Sequence, residues 1–230
     1  MRSVKAIFSK QLRDMFKNRT VLIQFVVFPL VAFAFTEIVA KPNGSIPDSM
    51  FVTMFASIYA GVTVLTTTAG TIAEDRERKS LRFLIMAGMK PYQYMLGVGG
   101  VMIAASLLVA VVFGATGGFH GVNFVRFVVV LVLGSVASSL LGATLGIVSK
   151  NQQAAAAMAM PLGMILGFTP LLAMFSQTVK KLFCIFYTMQ VDMLVSDFSA
   201  DFTTPATVII VNIAVFAALF AFAYNKKGLS

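Results

Sequence analysis

Of 230 residues, 58 % are hydrophobic and only 12 % are charged, which excludes a soluble domain, whose wet surface takes about 25 % charged residues. The mean hydropathy of +0.88 places the chain in a bilayer. Eighteen Lys and Arg oppose nine Asp and Glu. In a soluble protein that excess suggests nucleic acid, but here the basic residues flank apolar runs and serve orientation, so no nucleic-acid partner is expected. The single cysteine, Cys184, excludes an internal disulfide, and the single histidine, His120, excludes a histidine-rich metal site.

The N-terminal stretch 1–19 carries Val4, Ile7, Phe8, Leu12, Met15 and Phe16 at spacings of three and four, with Lys5, Lys10, Arg13 and Lys17 between them. That pattern predicts a basic amphipathic helix lying along the cytoplasmic membrane face. A transmembrane helix needs about 20 mostly apolar residues, and stretches 20–40, 50–73, 94–118, 124–148, 154–177 and 204–224 qualify. The first is too long for a cleaved signal peptide and has no small-residue cleavage site close behind it. The fourth and fifth are joined only by 149–153, so they form a helical hairpin. Pro161 and Pro170 predict a kink or a local break in the fifth. Between the last two spans, 180–203 contains about ten mostly apolar residues, too few to cross and suited to a re-entrant or interfacial element. Leu182, Ile185, Phe186, Met189 and Met193 are expected on one helical face, with Asp192, Asp197 and Asp201 on a polar side. A calcium site takes about six to eight oxygens in an organised loop, so these carboxylates read as a solvated acidic face.

Basic residues set the orientation. With the N-terminus inside, Arg2, Lys5, Lys10, Arg13, Lys17, Arg19, Arg76, Arg78, Lys79, Arg82, Lys90, Lys150, Lys226 and Lys227 are cytoplasmic, fourteen of eighteen. Lys41, Arg126, Lys180 and Lys181 remain outside. Both termini are then cytoplasmic, as an even span count requires. The whole reads as an all-α membrane protein of one transmembrane domain, 1–230, with six transmembrane helices, the N-terminal interfacial helix and the re-entrant outer segment.

No Gly-x-x-x-x-Gly-Lys-Ser/Thr loop, Gly-x-Ser-x-Gly elbow, His-Glu-x-x-His pair or Cys-x-x-Cys motif occurs. His120, in the turn 119–123, has no partner nearby in sequence and reads as a loop residue. No catalytic site and no cofactor are expected in this chain. Ion-coupled transporters bury ionisable groups in their spans; here Glu37 and Arg126 sit only near span ends, where a long side chain reaches the interface. Backbone carbonyls at broken helices also hold sodium, so an ion-coupled secondary transporter or channel stays open as an alternative.

The densest polar cluster runs Glu74-Asp75-Arg76-Glu77-Arg78-Lys79-Ser80-Leu81-Arg82, then Phe83 to Ala87 and Gly88-Met89-Lys90-Pro91. A charged start, a short amphipathic run and a Gly/Pro stop predict a helical element parallel to the membrane at 74–91. Acidic residues among the bases are unnecessary for topology and suit a protein partner. The chain resembles ABC exporter permeases of the type-two class, whose subunits have six spans. The likeness rests on the basic N-terminal helix, on Glu77-Arg78-Lys79-Ser80-Leu81 continuing through Lys90-Pro91 to Gly97, and on the re-entrant segment. The family's element is Glu-Arg-Gly-Thr-Leu; Lys79 stands for its glycine, Ser80 for its threonine and Arg82 for a common glutamate.

The resemblance implies a coupling helix that inserts into a cleft of an ABC ATPase subunit, with Glu74, Asp75, Glu77, Arg78, Lys79, Ser80, Leu81 and Leu84 as its coupling residues. Lys150, Asn151 and Gln152 would be a second cytoplasmic contact. It implies a second permease copy or paralogue, ATP and Mg bound by the partner ATPase, and a prokaryotic plasma membrane. Thr53, Ser57 and Thr67, with Gly61 and Gly70 nearby, form a mildly polar face that borders a pathway or bonds its own backbone; Asn212 is open between interhelical glue and substrate contact. Gly134, Ser138, Gly142 and Gly146 fall four apart, as do Gly163 and Gly167, stripes that seat helices closely, more often within one subunit than between subunits. Twenty-two Phe and 14 Met suit a lipid, drug or membrane-active peptide as substrate, or simply face lipid and fill the core. A non-transporting scaffold or immunity factor is the remaining alternative.

Overall fold

The computed structural model describes residues 2–44, 46–199 and 201–227, without the side chains of Arg2, Ser3 and Asn43. The basic side chain of Arg2 and residue 200 of the segment 180–203 therefore lie outside the described residues. Every regular element among them is helical. Six helices are long and apolar enough to span a membrane: α2 (Arg19–Ala40), α3 (Ser49–Glu77), α5 (Pro91–Thr116), α6 (Gly121–Val148), α7 (Gln152–Phe175) and α10 (Thr203–Lys227). Ahead of them lies α1 (Arg2–Lys17), between α3 and α5 lies α4 (Ser80–Met86), and before α10 lie α8 (Gln177–Phe183) and α9 (Tyr187–Ser196).

The second span is the centre of the bundle. In α3, 67 % of the apolar window is buried, against 22 % in α2 and 17 % in α10, so those two helices leave their apolar faces uncovered. The close seat of α3 on α6 comes from missing side chains. A Cβ on Gly142 would come within 2.3 Å of the Leu65 carbonyl oxygen, and one on Gly146 within 2.7 Å of that of Ala69. On the other side of α3, a Cβ on Gly61 would meet Gly167 Cα of α7 at 2.5 Å. Both small-residue stripes are thus spent inside the subunit.

Two π-helical turns, Thr36–Ala40 and Ala60–Val64, interrupt α2 and α3, a widening that frees backbone carbonyls for other donors. The Ser138 hydroxyl of α6 donates to the Ala60 carbonyl at 2.5 Å and lies 2.7 Å from the Tyr187 hydroxyl of α9. The fifth span, α7, runs unbroken through Pro161 and Pro170. Its start is capped by Asn151, which accepts from the Ala154 amide at 2.8 Å.

The segment before the last span differs from its expectation. It is two short helices with a turn at 184–186, not one amphipathic face. Leu182 and Ile185 are exposed while Met189 is buried, because the turn swings α9 into the bundle, where Gln190 donates to the Cys184 carbonyl. The three carboxylates do not share a side either. Asp192 faces inward to Ser57, Asp197 accepts from the Ser199 amide, and Asp201 caps α10.

Helix α1, the α3–α4–α5 connection, residues 149–151 and the C-terminus of α10 gather at one end, here called the basic end. Residues 117–120, α8 and α9 sit at the opposite end. There Arg126 donates to the Phe198 carbonyl at 2.6 Å and stacks over Phe202 at 5.0 Å, and Glu37 pairs with Lys41.

Candidate coupling end and three cavities

The polar cluster 74–82 divides into an inward and an outward half. Asp75 is buried and is its organising group. Its carboxylate accepts from Lys10 Nζ, Gln11 Nε2, Ser80 Oγ and the Tyr94 hydroxyl, each at 2.9 Å. One side chain of α3 therefore ties together α1, α4 and α5. Ser80 also donates to the Asp75 carbonyl at 2.9 Å, closing the end of α3. The chain reverses there through Lys79, whose φ of 61° makes it the one non-glycine residue with positive φ among the described residues. This is the position at which the type-two exporter element carries glycine, the residue that adopts that conformation freely.

Leu81 is fully buried among Ile7, Ile72, Tyr94, Val98 and Ile147. Asp75 and Leu81, expected as coupling contacts, are buried in this chain and anchor the element. Leu81 points inward from α4 with Leu84 and Ile85 packed beside it, and the Asp75 carboxylate holds α1. Leu84 is half-buried against the same cluster. What α4 and the turn before it present outward is Glu77, Arg78, Lys79 and Arg82 around two large apolar side chains, Phe83 at 68 % and Met86 at 69 % exposure. The half-buried Glu74 pairs with the exposed Arg78 at 2.7 Å.

The two cytoplasmic contacts expected from sequence are joined. Glu77 Oε2 accepts from the Gln152 amide at 3.1 Å, and Arg76 donates to the Ser149 carbonyl at 2.7 Å at the end of α6. Lys150, Asn151 and Gln152 are exposed beside them. On the far side, α1 buries Ile7 and Met15, with Phe8 and Leu12 against the core, on α5. A Cβ on Gly97 would come within 2.6 Å of Ile7 Cγ2, so that glycine exists to seat α1. The apolar stripe of α1 is covered by protein over most of its length, with Phe16 left outside.

The residues of the expected pathway fall into three separate cavities. Thr67 lines one of about 540 Å³ toward the basic end, between α2, α3 and α7, and donates to Gln24 Oε1 at 2.8 Å. Thr53 lines one of about 320 Å³ toward the opposite end, between α3, α7 and α9, where Ser57 Oγ meets Asp192 at 3.2 Å. Asn212 lines a third, largely apolar, between α8, α9 and α10, and donates to the Ile185 and Val208 carbonyls at 2.9 and 2.8 Å. The single polar face expected on the second span is split because the π turn and the Gly61–Gly167 contact lie between its two ends.

A scan against protein families matches residues 18–224 to the family described as ABC-2 family transporter protein. The chain belongs to that family. The comparison with curated proteins gave no match. The match covers all six spans, so this ABC-2 permease is a multi-pass transport subunit of the membrane, and the family works with an ABC ATPase in a lipid bilayer. It begins at Asn18, after α1.

Sequence reasoning missed Phe83, Met86, Gln24 and the donors to Asp75 in this ABC-2 permease. One signal was present. Gln11 lies at i+4 from Ile7 and i−4 from Met15, a polar residue inside an apolar stripe, which implies a buried partner. Asp192, a charged residue inside the mostly apolar helix α9, is the same kind of signal.

Proposed function

We propose that the chain is the permease half of an ATP-driven exporter in a prokaryotic plasma membrane, with the basic end and both termini in the cytoplasm. Two permeases, this chain and a copy or paralogue, pair with ABC ATPase subunits that bind ATP and Mg. The uncovered faces of α2 and α10 meet lipid or the second permease. Phe83 and Met86 of α4 are the knobs that enter a cleft of the ATPase, and the charged ring around them selects it. Lys150 to Gln152 add the second contact.

The observation that carries this reading is the split character of α4. Its apolar knobs face away from the bundle while Asp75 and Leu81 lock its other side to α1, α3 and α5. A push on the knobs therefore moves three helices as one body. The cavity beside Gln24 and Thr67 receives an amphiphile such as a lipid, drug or membrane-active peptide. Passage to the second cavity requires parting Gly61 from Gly167, and ATP binding biases the balance of these two states.

The test is a mild-detergent pull-down with mass spectrometry of the bound proteins. Wild type retains a phosphate-loop ATPase; the double variant Phe83→Ser, Met86→Ser loses it while the chain stays folded, since both side chains are exposed. An intact wild-type chain that brings down no ATPase in several detergents would replace this reading with an ion-driven transporter or a scaffold.

A further inference from the structure

The cavity between α3, α7 and α9 is walled mostly by apolar side chains, Met50, Met54, Ile58, Leu171 and Met174 among them, with three hydroxyl residues at its margin, and Asp192 is the one ionisable group on its wall. The carboxylate is poorly provided for. Its donor is Ser57 Oγ at 3.2 Å, and that same hydroxyl also reaches the Thr53 carbonyl at 3.1 Å, so one proton serves two acceptors. No cation among the described residues pairs with it. Helix α7 carries no charged residue, the charges of α3 and α10 lie at the basic end, and Arg126 of α6 is committed to the Phe198 carbonyl. Lys180 of α8 acts on it only from a distance. A carboxylate in apolar surroundings with one shared donor is a binding determinant for positive charge, because a cation in the cavity restores what burial removed. Methionine sulfurs, polarisable and adaptable, make a wall that takes varied organic shapes.

We propose that this cavity binds an organic cation with an apolar body, and that Asp192 is its counter-charge. This rests on reading the chain as an exporter and names the charge class of its substrate. Burial pushes the Asp192 carboxyl up to about 6, with the Ser57 bond opposing. Its charge is then lost progressively as pH falls from 7.5 toward 5, and cation binding weakens with it.

The experiment measures binding of tetraphenylphosphonium and of tetraphenylborate, which share a shape and differ in charge, to the full chain in phosphatidylcholine nanodiscs, with empty discs subtracted. The cation binds saturably at pH 7.5 and the anion does not. Asp192→Asn weakens the cation by at least about tenfold, a ratio worth about 1.4 kcal/mol, and Asp192→Glu restores most of it. Wild type at pH 5 resembles Asp192→Asn. Equal binding of both ions, or a folded Asp192→Asn variant that binds the cation like wild type, overturns the proposal. Should Asp192→Asn fail to fold, the wild-type pH series decides, and unchanged binding at pH 5 overturns it. No ATPase takes part, so cation binding without a captured ATPase keeps the site and sinks only the exporter reading.

Discussion

Lys79 holds φ at 61°, a conformation that costs a side-chain-bearing residue about 1–2 kcal/mol. Lys79→Gly removes that strain and adds back about 0.5–1 kcal/mol of unfolded-chain entropy. The exposed lysine loses no packing. The net expectation is a gain of about 0.5–1 kcal/mol, read as a higher thermal midpoint of the purified chain. Asp75 points the other way. Asp75→Ala leaves the buried Tyr94 and Gln11 donors without their acceptor, at about 1–3 kcal/mol each. It also frees α1, so trypsin cuts faster after Lys10 and Arg13. Tyr94→Phe removes one donor and leaves three on the carboxylate, a loss of about 0.5–1.5 kcal/mol. Equal stability of the two variants would show that Asp75 does not organise the basic end.

At the level of helices, the contact between α3 and α6 depends on absent Cβ atoms, and two glycines of similar sequence context separate sharply. A Cβ on Gly142 meets the Leu65 carbonyl oxygen at 2.3 Å, whereas one on Gly70 meets nothing nearer than Gln152 Nε2 at 3.7 Å. Gly142→Ala forces backbones apart and costs about 1–3 kcal/mol, the range for overpacking. Gly70→Ala is neutral or stabilising by up to about 1 kcal/mol, the propensity difference in a helix. Comparison of their unfolding midpoints in one detergent checks both. The six spans were legible because apolar runs of bilayer length cannot hide, and the four-residue spacing of Gly134, Ser138, Gly142 and Gly146 marks one helix face whatever it meets. Direction was not legible. The charges around Asp75 announce a polar element, but which carboxylate turns inward depends on Lys10, Gln11 and Tyr94 arriving from helices distant in sequence. The π turn at Ala60–Val64 is likewise met by a tertiary partner that leaves no local pattern, the Ser138 hydroxyl, whereas the turn between α8 and α9 is closed locally by Gln190 on the Cys184 carbonyl.

Across the whole molecule, the basic end and the opposite end differ in charge, and that difference orients the chain only through the membrane it enters. The cysteine that excludes a disulfide supplies the check. Cys184 is exposed on the turn between α8 and α9, at the end away from Phe83 and Lys150. With the basic end in the cytoplasm, a membrane-impermeant maleimide labels wild-type protein at Cys184 in intact cells. Cys184→Ser abolishes the signal and serves as the background for a reporter at the other end. There, Lys150→Cys reacts only after the cells are permeabilised. The reverse pattern would place α4 outside, beyond the reach of any cytoplasmic ATPase. It would leave the family membership intact and remove the orientation on which ATP coupling depends. Labelling of both sites in intact cells would instead mean leaky cells, recognised by simultaneous labelling of a cytoplasmic control protein, and repeating the labelling on sealed cells then separates the two orientations.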